Sequence, residues 1–467
     1  MSFKAMRWAA VLGAAAFVLA MPRPDGITVE SWRLLAIFTA TIVGSIARPI
    51  PPGAVVFLGV CAMALFNVMT PRQALAGFAD PIVWLVLCAF FMSRALIKTG
   101  LGRRIAFLFI RAIGQSSLGL AYALVSTDIV LAAFIPSSSA RSGGVIYPVA
   151  RSLAEAYESR PGETANRLGA FLLFTIYQGD VLASAMWLTG QASNALIAKF
   201  ALDTAHVEIS YGRWILGSIV PALVLFFLIP TLLYRLYPPA IKHTPDAARI
   251  ATEELHRMGP MSRHERMMLV VFALVAGLWM TTTLHHINYA VVGLVAISVL
   301  LLSNLLTWDD IIGERPAWDV FIWYGGLVRM AEALGETGLT RKFAESAASL
   351  TVGWTWGAAL AVLVLVYFYA HYGFASITAH VTAMFTPFLV VVLAAGAPPL
   401  LAVLMLAYFS NLSASLTHYG TTPAPIYFGS GYISQKDWWL YGFMISVLSI
   451  FVFATVGLGW WKILGWW

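Results

Sequence analysis

Two short clusters of hydroxyl side chains interrupt long apolar stretches of the chain. The first cluster is Ser137, Ser138 and Ser139, and the second contains Ser376 and Thr378. Where a helix begins, its free N–H groups and the positive end of its dipole attract anions, and Ser or Thr hydroxyls add further donors. Two such clusters facing each other predict a site for an anion with a negative group at each end. The alternative is that these hydroxyls cap or back-bond ordinary helices.

A basic residue lies two positions past the end of each cluster: Arg141 follows the first and His380 follows the second. Placing an arginine well inside an apolar region costs roughly 3 kcal/mol or more, so the arginine needs a negative partner. We expect Arg141 and His380 to help neutralise a carboxylated ligand. In the alternative, each pairs with a structural acid such as Asp128 or Asp180.

The composition shows what kind of protein carries these clusters. Of the 467 residues, 60% are hydrophobic and 11% are charged, and the mean hydropathy is +0.80. Soluble domains carry roughly 25% charged residues, so this chain cannot assemble a water-facing surface for its size. Its apolar runs are long and unbroken, whereas barrel strands alternate apolar and polar residues. The sequence therefore predicts an all-α polytopic membrane protein and excludes a soluble domain, a coiled coil and collagen.

Charge and histidine spacing narrow the class of partners. The chain has a net charge of +7. In a membrane protein such an excess of Lys and Arg is typical of the cytoplasmic loops, so it does not indicate a nucleic-acid partner. The start of the chain is neither Arg-rich nor Ser-rich, which favours the bacterial inner membrane over a plastid envelope. The 9 histidines do not show the spacing of a metal site. We therefore predict a multi-pass protein of the bacterial inner membrane that contacts the lipid bilayer and carries no metal or other cofactor.

A charged segment at residues 235–266 divides the chain into two halves that share three short similarities. Each pair occurs in the same order and at nearly the same spacing: residues 99–103 with 337–341, 137–141 with 376–380, and 188–191 with 419–422. An odd number of crossings between paired segments, about five here, makes the repeats inverted. The sequence predicts the following domains: N-terminal scaffold spans at 1–80, a first repeat at 81–234, a cytoplasmic linker at 235–266 and a second repeat at 267–467.

Each hydroxyl cluster follows a long apolar run, at residues 117–135 and 354–375, and precedes a run too short for a full span. This pattern is typical of a re-entrant helical hairpin. Non-helical backbone at membrane depth survives only where it lines a cavity or is buried in protein. We therefore expect the two clusters to be the tips of two hairpins that open onto one cavity.

Two longer motifs carry a resemblance to a known family. Residues 136–144 and residues 417–432 resemble the divalent anion:sodium symporter (DASS) family, especially its 2-oxoglutarate/malate and citrate/succinate translocator branch. The resemblance extends from about residue 26 to the C-terminus. It implies an inverted-repeat bundle of about eleven transmembrane helices with two re-entrant hairpins. It also implies a homodimer whose protomers each have a scaffold and a transport part that moves in an elevator fashion.

The resemblance assigns site residues, with one departure. The family's two Ser-Asn-Thr signatures, which bind substrate carboxylates, align with residues 137–139 and 376–378, and neither tip contains the Asn. The side chain of Ile377 cannot form a hydrogen bond, so hydroxyl or backbone groups must replace that contact. The resemblance implies that unwound segments after the hairpins complete the site, with these residues: Thr189, Gly190, Asn194, Gly420, Thr421, Thr422 and Pro423.

The basic residues bear on the coupling mode. Sodium-driven members of the family have a small polar residue two positions past each tip, where this chain has Arg141 and His380. A fixed cation repels a bound sodium ion in a site of low dielectric constant. We therefore predict exchange of di- or tricarboxylates such as succinate, malate, 2-oxoglutarate, tartrate or citrate. Sodium would take part only in the alternative of a sodium-coupled symporter.

An anion channel and a membrane enzyme are the two other functional classes that such polar clusters could indicate. An anion channel uses similar dipole-lined sites but conducts without a counter-substrate. A membrane enzyme needs a nucleophile and base or a metal pair, and no Gly-x-Ser-x-Gly or His-Glu-x-x-His arrangement is present in the sequence. The sequence therefore favours a transporter over a channel and does not indicate an enzyme.

Overall fold

The computed structural model describes residues 3–339, 342–343, 345–346 and 353–467. The regular structure of these residues is helical, apart from one isolated bridge between Ser116 and His243. The predicted all-α class is therefore confirmed. Thr340 and Arg341, which belong to one of the three similar segment pairs, lie outside the described residues.

The first half of the chain forms helices that mostly begin at a Ser, Thr or Asp cap or at a proline in the first turn, as helix starts generally do. They are α1 (Phe3–Ala20), α2 (Val29–Ala47), α3 (Pro52–Leu65), α4 (Pro71–Ala74), α5 (Pro81–Thr99), α6 (Leu101–Ile113), α7 (Ser117–Ala132), α8 (Tyr147–Ala156), α9 (Gly169–Met186), α10 (Ala192–Ala205), α11 (Tyr211–Leu236) and α12 (Pro245–Met258). A wider π-helical turn, Ser139–Ile146, leads into α8.

The second half continues with helices of the same kinds. They are α13 (Arg263–Met280), α14 (Thr282–His285), α15 (Tyr289–Leu302), α16 (Trp308–Gly313), α17 (Arg315–Glu336), α18 (Trp356–Ala370), α19 (Ile377–His380), α20 (Thr386–Ala394), α21 (Pro399–Leu412), α22 (Ala424–Gly429), α23 (Gln435–Val452) and α24 (Leu458–Ile463). A π-helical turn, Val381–Phe385, joins α19 to α20, so the helix that starts at Ile377 continues to Ala394.

Several of these helices are long and apolar enough to cross a membrane. Within the described part of the chain, 8 helical segments meet that requirement, and α3, α7 and α15 are shorter apolar helices. Two of the long segments, Trp356–Gly373 and Ile377–Ala394, are the two arms of the second hairpin. The fold is a polytopic helix bundle with two re-entrant hairpins, as predicted. The sequence predicts a run too short for a full span after the second tip, whereas Ile377–Ala394 forms 18 residues of helix there.

The bundle is organised around α9, all of whose residues are buried. It packs against α7, α8, α11 and α21. Residues 168–200 read as one apolar segment in the sequence, but the structure divides them into α9 and α10, with extended or 3₁₀ backbone at residues 187–191. The break between the buried helices α9 and α10 therefore determines where the polar groups of residues 187–191 lie.

The charged linker packs against the amphipathic helix α6. Arg104 on α6 is buried and donates to both carboxylate oxygens of Glu265, at 2.5 and 3.2 Å. Its neighbour Arg103 contacts Glu254 on α12 at 3.2 Å. The segment between the two halves therefore has a defined position on the surface of the first half.

Candidate functional site

The first hairpin tip is a break between α7 and the helix that leads into α8. The chain leaves the helix after Ala132 and resumes helical geometry at Ser138. The hydroxyl of Ser137 accepts the N–H of Ala140 at 3.2 Å, and its carbonyl accepts the N–H of Arg141 at 3.0 Å. Ser137 therefore caps a helix that begins at this tip.

The second hairpin tip repeats this arrangement. The chain leaves α18 at Ala370 and starts α19 at Ile377. The hydroxyl of Ser376 accepts the N–H of Ala379 at 3.1 Å, and its carbonyl accepts the N–H of His380 at 3.2 Å. Both serines are helix caps, as the alternative interpretation had it, and each caps a helix that starts at a break between apolar segments.

Both tips line one cavity of about 540 Å³, a volume within the range of small-molecule sites. Of the predicted site residues, the following line it: Ser137, Ser138, Ser139, Ser376, Thr378 and Thr422. The hydroxyl of Ser138 is buried and has no hydrogen-bond partner among the described residues. Because a buried hydroxyl without a partner is costly, this group is available to a ligand.

The other predicted site residues do not line the cavity. They are Arg141, Thr189, Gly190, Asn194, His380, Gly420, Thr421 and Pro423. Thr189 donates its hydroxyl to the carbonyl of Ala133 at 2.8 Å. Asn194 donates to the carbonyls of Ser184 and Trp187 at 2.8 and 2.9 Å. These two side chains therefore satisfy backbone groups that the helix breaks leave without partners.

Arg141 differs from the expectation that it faces a ligand. It is fully buried, and it forms ion pairs with Asp128 and, at 2.7 Å, with Asp180. Its Nη1 donates to the carbonyls of Ile135 and Gly190 at 2.9 and 3.0 Å. A guanidinium in a low-dielectric interior needs close negative partners, and α7 and α9 supply them. The structure thus matches the alternative of structural acids for Arg141.

His380 also differs from the expectation. Its ring is buried among aromatic rings, with ring centroids 4.3 Å from Tyr367 and 5.1 Å from Phe374 and His371. Neither ring nitrogen has a hydrogen-bond partner among the described residues. His371 instead contacts the second unwound segment, because its Nε2 lies 3.0 Å from the carbonyl of Gly420.

The two halves of the chain share one feature: a basic side chain of each hairpin contacts a glycine carbonyl of the unwound segment. In the first half, a basic side chain of the hairpin binds the carbonyl of Gly190; in the second half, His371 binds the carbonyl of Gly420. The sequence shows Gly190 and Gly420 in the third pair of similar segments, but His371 precedes the second tip whereas Arg141 follows the first. Because the two residues are not at equivalent positions in the sequence, the sequence alone did not indicate that both contact a glycine carbonyl.

The cavity also has charged lining residues that the sequence did not single out. Arg48, at the C-terminal end of α2, is the basic side chain among its lining residues, and Glu314 and Asp319 are the acidic ones. Glu314 lies just before α17. Its pKa is raised by burial, an effect that the positive charge of Arg94 opposes and the negative charge of Asp310 supports.

Known proteins similar to this chain are membrane transporters. A family profile described as "Sodium:sulfate symporter transmembrane region" matches residues 3–467. YflS of Bacillus subtilis is 47% identical over 96% of this chain and 94% of that protein. "Dicarboxylate transporter 1, chloroplastic" of Arabidopsis thaliana is 44% identical, over 96% of this chain and 81% of that protein. The "L-tartrate/succinate antiporter" of Shigella sonnei is 34% identical, over 97% of both chains.

A solved structure shares the fold. The YdaH transporter of Alcanivorax borkumensis superposes with a TM-score of 0.57 at 13% identity, over 99% of this chain and 97% of that chain. The relatives are named as transporters, which agrees with the class of protein expected from the sequence. A further relative from Escherichia coli is named "Inner membrane protein YbhI", which agrees with the expected location. Since the profile spans nearly the whole chain and the relatives align over nearly all of it, the protein belongs to the sodium:sulfate symporter family of membrane transporters, which is the DASS family that its motifs resemble.

Proposed function

We propose that this protein is a secondary transporter that exchanges one di- or tricarboxylate for another across the bacterial inner membrane. The observation that carries the proposal is that two capped helix starts, at Ser137 and Ser376, line the same cavity. The relatives named as a dicarboxylate transporter and an L-tartrate/succinate antiporter support the substrate class.

The chemistry of the two tips fits an anion that is charged at both ends. At each tip the first N–H groups of a helix have no acceptor within that helix, and the helix dipole adds a partial positive charge. The hydroxyls of Ser138 and Thr378 add side-chain donors at the same cavity. The backbone N–H of Ile377 can supply a donor at the position where the family signature has an asparagine.

Contacts at the unwound segments support exchange over sodium coupling. In transporters with broken helices, unwound backbone carbonyls coordinate the sodium ion. Here the carbonyl of Gly190 accepts from Arg141 and the carbonyl of Gly420 lies against His371. Because Asp128 and Asp180 balance the charge of Arg141, repulsion between Arg141 and a sodium ion would be weak. The carbonyls of Gly190 and Gly420 disfavour sodium binding because they already contact Arg141 and His371.

We further propose that the hairpins move against a scaffold. The cavity lies between the two tips and the helices α2, α5 and α17, so one wall can move while the other stays. Arg48 follows the end of α2, Ile97 lies in the last turn of α5 and Glu314 precedes α17, and all three line the cavity. Basic residues at these helix ends, such as Arg48 and Lys98, favour a cytoplasmic location for this side of the cavity. The structure would then be the inward-facing state of an elevator cycle, in a protein that we expect to purify as a homodimer.

Counterflow in proteoliposomes tests the proposal. Purified protein is reconstituted, and uptake of radiolabelled succinate is measured with and without internal succinate and with and without sodium. We expect uptake that requires internal dicarboxylate and does not change when choline replaces sodium. Uptake that requires sodium but no internal dicarboxylate would support the symporter instead. A succinate current at fixed voltage without counter-substrate would indicate a channel.

A further inference from the structure

Arg48 occupies a position that the proposed transport mechanism does not yet use. It follows the last residue of α2 and has left-handed backbone geometry, with φ 51° and ψ 56°. Its N–H donates to the carbonyl of Gly44 at 2.8 Å, and its carbonyl accepts from Arg7 at 3.0 Å. Both backbone polar groups of Arg48 therefore have hydrogen-bond partners, which fix the position from which its side chain extends.

The guanidinium of Arg48 lies at the second hairpin tip. Its Nη2 is 3.5 Å from the carbonyl of Ala375, the residue just before the cap Ser376. This is a long and weak contact for an arginine. Among the described residues, no acidic side chain forms an ion pair with Arg48, although Glu314 and Asp319 line the same cavity. Arg48 is also exposed, so the guanidinium is free to pair with a ligand.

The other basic groups near the tips cannot reach the cavity in this structure. Arg141 is fully buried between two carboxylates, and His371 and His380 are buried behind the second tip. Because an anionic ligand needs charge compensation in a site of low dielectric constant, the positive side chain available at the cavity is Arg48.

We propose that Arg48 binds one carboxylate of the transported dianion, together with the N–H groups of the second hairpin tip, and that it does so only when the site faces the cytoplasm. This inference rests on the proposed exchange function. Arg48 lies on the scaffold side of the cavity and Ser376 on the hairpin side, so movement of the hairpin separates the two. The guanidinium then raises affinity for dicarboxylates on one side of the membrane and helps select them over monocarboxylates.

An effect of Arg48 on substrate affinity at only one side of the membrane can be measured, and a purely structural role of Arg48 would not produce it. The Michaelis constant for labelled succinate is measured in inverted membrane vesicles, which expose the cytoplasmic face, and in right-side-out vesicles. For Arg48→Gln we expect the KM on the cytoplasmic side to rise about ten-fold, which is the loss of one charged hydrogen bond. We expect the KM on the opposite side to stay within about two-fold of wild type.

Two further variants complete the test. Arg48→Lys keeps the charge without the planar fork, so its cytoplasmic KM should rise by only about three-fold. Arg111→Gln removes an exposed positive charge from α6, away from the cavity, and should not change either KM. Monomethyl succinate, a monoanion, should compete equally well against wild type and Arg48→Gln.

The outcomes separate this inference from the proposed function. If wild type does not exchange succinate, the proposed function fails. If wild type exchanges it and Arg48→Gln has an unchanged cytoplasmic KM, or an equal rise on both sides, the role of Arg48 is wrong while exchange stands. Loss of folded protein in both Arg48→Gln and Arg48→Lys would assign Arg48 to structure and overturn the inference.

Discussion

Residues three positions apart on one hairpin have opposite environments. Ser138 places an unpartnered hydroxyl at the cavity, whereas Arg141 is enclosed by Asp128, Asp180 and backbone carbonyls. On a helix, residues three apart share a face, but the wide π-helical turn that starts at Ser139 changes this register. Residue type alone therefore does not identify the groups that contact a ligand at this tip.

The free hydroxyl of Ser138 gives the first prediction. We expect Ser138→Ala to raise the KM for succinate about ten-fold, because a hydrogen bond to a charged carboxylate is lost. The melting temperature should not fall, since the hydroxyl has no partner within the described protein. Ser193→Ala is the matched control: its hydroxyl is also buried without a partner, but it does not line the cavity. An unchanged KM in Ser138→Ala would contradict the role of this hydroxyl.

The burial of Arg141 gives the second prediction. Removing one member of a buried ion-pair network leaves uncompensated charges, which costs about 3–5 kcal/mol. Arg141→Gln should therefore lower the melting temperature of the purified protein strongly, as measured by thermal denaturation in detergent. Replacing Arg141, Asp128 and Asp180 together by uncharged residues should recover part of the loss, because no charge then lacks a partner.

The control for this second prediction is Arg151→Gln. Arg151 pairs with Glu155 on an exposed surface of α8, where an ion pair contributes little, so the melting temperature should not change. A stable Arg141→Gln protein with a higher KM would instead show that Arg141 contacts the substrate in another state of the cycle.

At the scale of elements, the break between α9 and α10 is closely packed against the last turn of α9. Gly190 lies where α9 has ended and α10 has not begun. A Cβ atom there would lie 2.7 Å from the carbonyl oxygen of Ser184 and 2.8 Å from that of Ala183. These are backbone atoms, which cannot move aside as the end of a side chain can. The glycine is therefore required by the close approach of two chain segments.

The third prediction concerns this break. Gly190→Ala should move the carbonyl that Arg141 binds and destabilise the protein by about 1–3 kcal/mol, as overpacking does. We expect a lower melting temperature and a lower exchange rate. Gly277→Ala is the control, because a Cβ atom there meets nothing within 4 Å and alanine favours the helix. Equal behaviour of the two variants would mean that the break tolerates a side chain.

Much of the element pattern could be predicted from the sequence, and part could not. The two hydroxyl clusters and their flanking apolar runs indicated both hairpins, because the local signal there is strong. The pairing of Arg141 with Asp128 and Asp180 stayed one of two alternatives, since only the packing of α7 against α9 decides it. Arg48 was not predicted, because its loop joins the cavity through contacts between segments more than 300 residues apart in the chain.

At the scale of the whole molecule, a cluster of charges joins the two cavity walls that the proposed elevator movement would separate. Lys199 on α10 lies 2.7 Å from Glu332 on α17, 3.2 Å from Asp203 and 3.5 Å from Asp80, which caps α5. Helix α10 follows the unwound segment at residues 187–191, whereas α5 and α17 line the opposite wall of the cavity. Movement of the hairpins past α5 and α17 would break two of these three ion pairs.

The fourth prediction is that this cluster stabilises the inward-facing state. Lys199 is about one-sixth exposed, so each pair is less screened than one at an open surface. If Lys199→Gln weakens this state by about 1.4 kcal/mol, the ratio of inward to outward protein falls about ten-fold, and an inward population of roughly 90% becomes about 50%. The reporter is a cysteine at Ser93, which lines the cavity, with Cys61 and Cys88 replaced by alanine.

Labelling of that cysteine by an impermeant maleimide in inverted vesicles then measures the inward population, and Lys199→Gln should slow it about two-fold. Glu332→Gln should slow labelling in the same direction, because it removes the shortest of the three contacts. Lys199→Arg keeps a positive charge among the three carboxylates, so its labelling rate should stay close to that of wild type. Faster labelling in Lys199→Gln would show that the charge cluster favours the outward-facing state, and the movement of the hairpins would then have to carry α10 in the opposite sense.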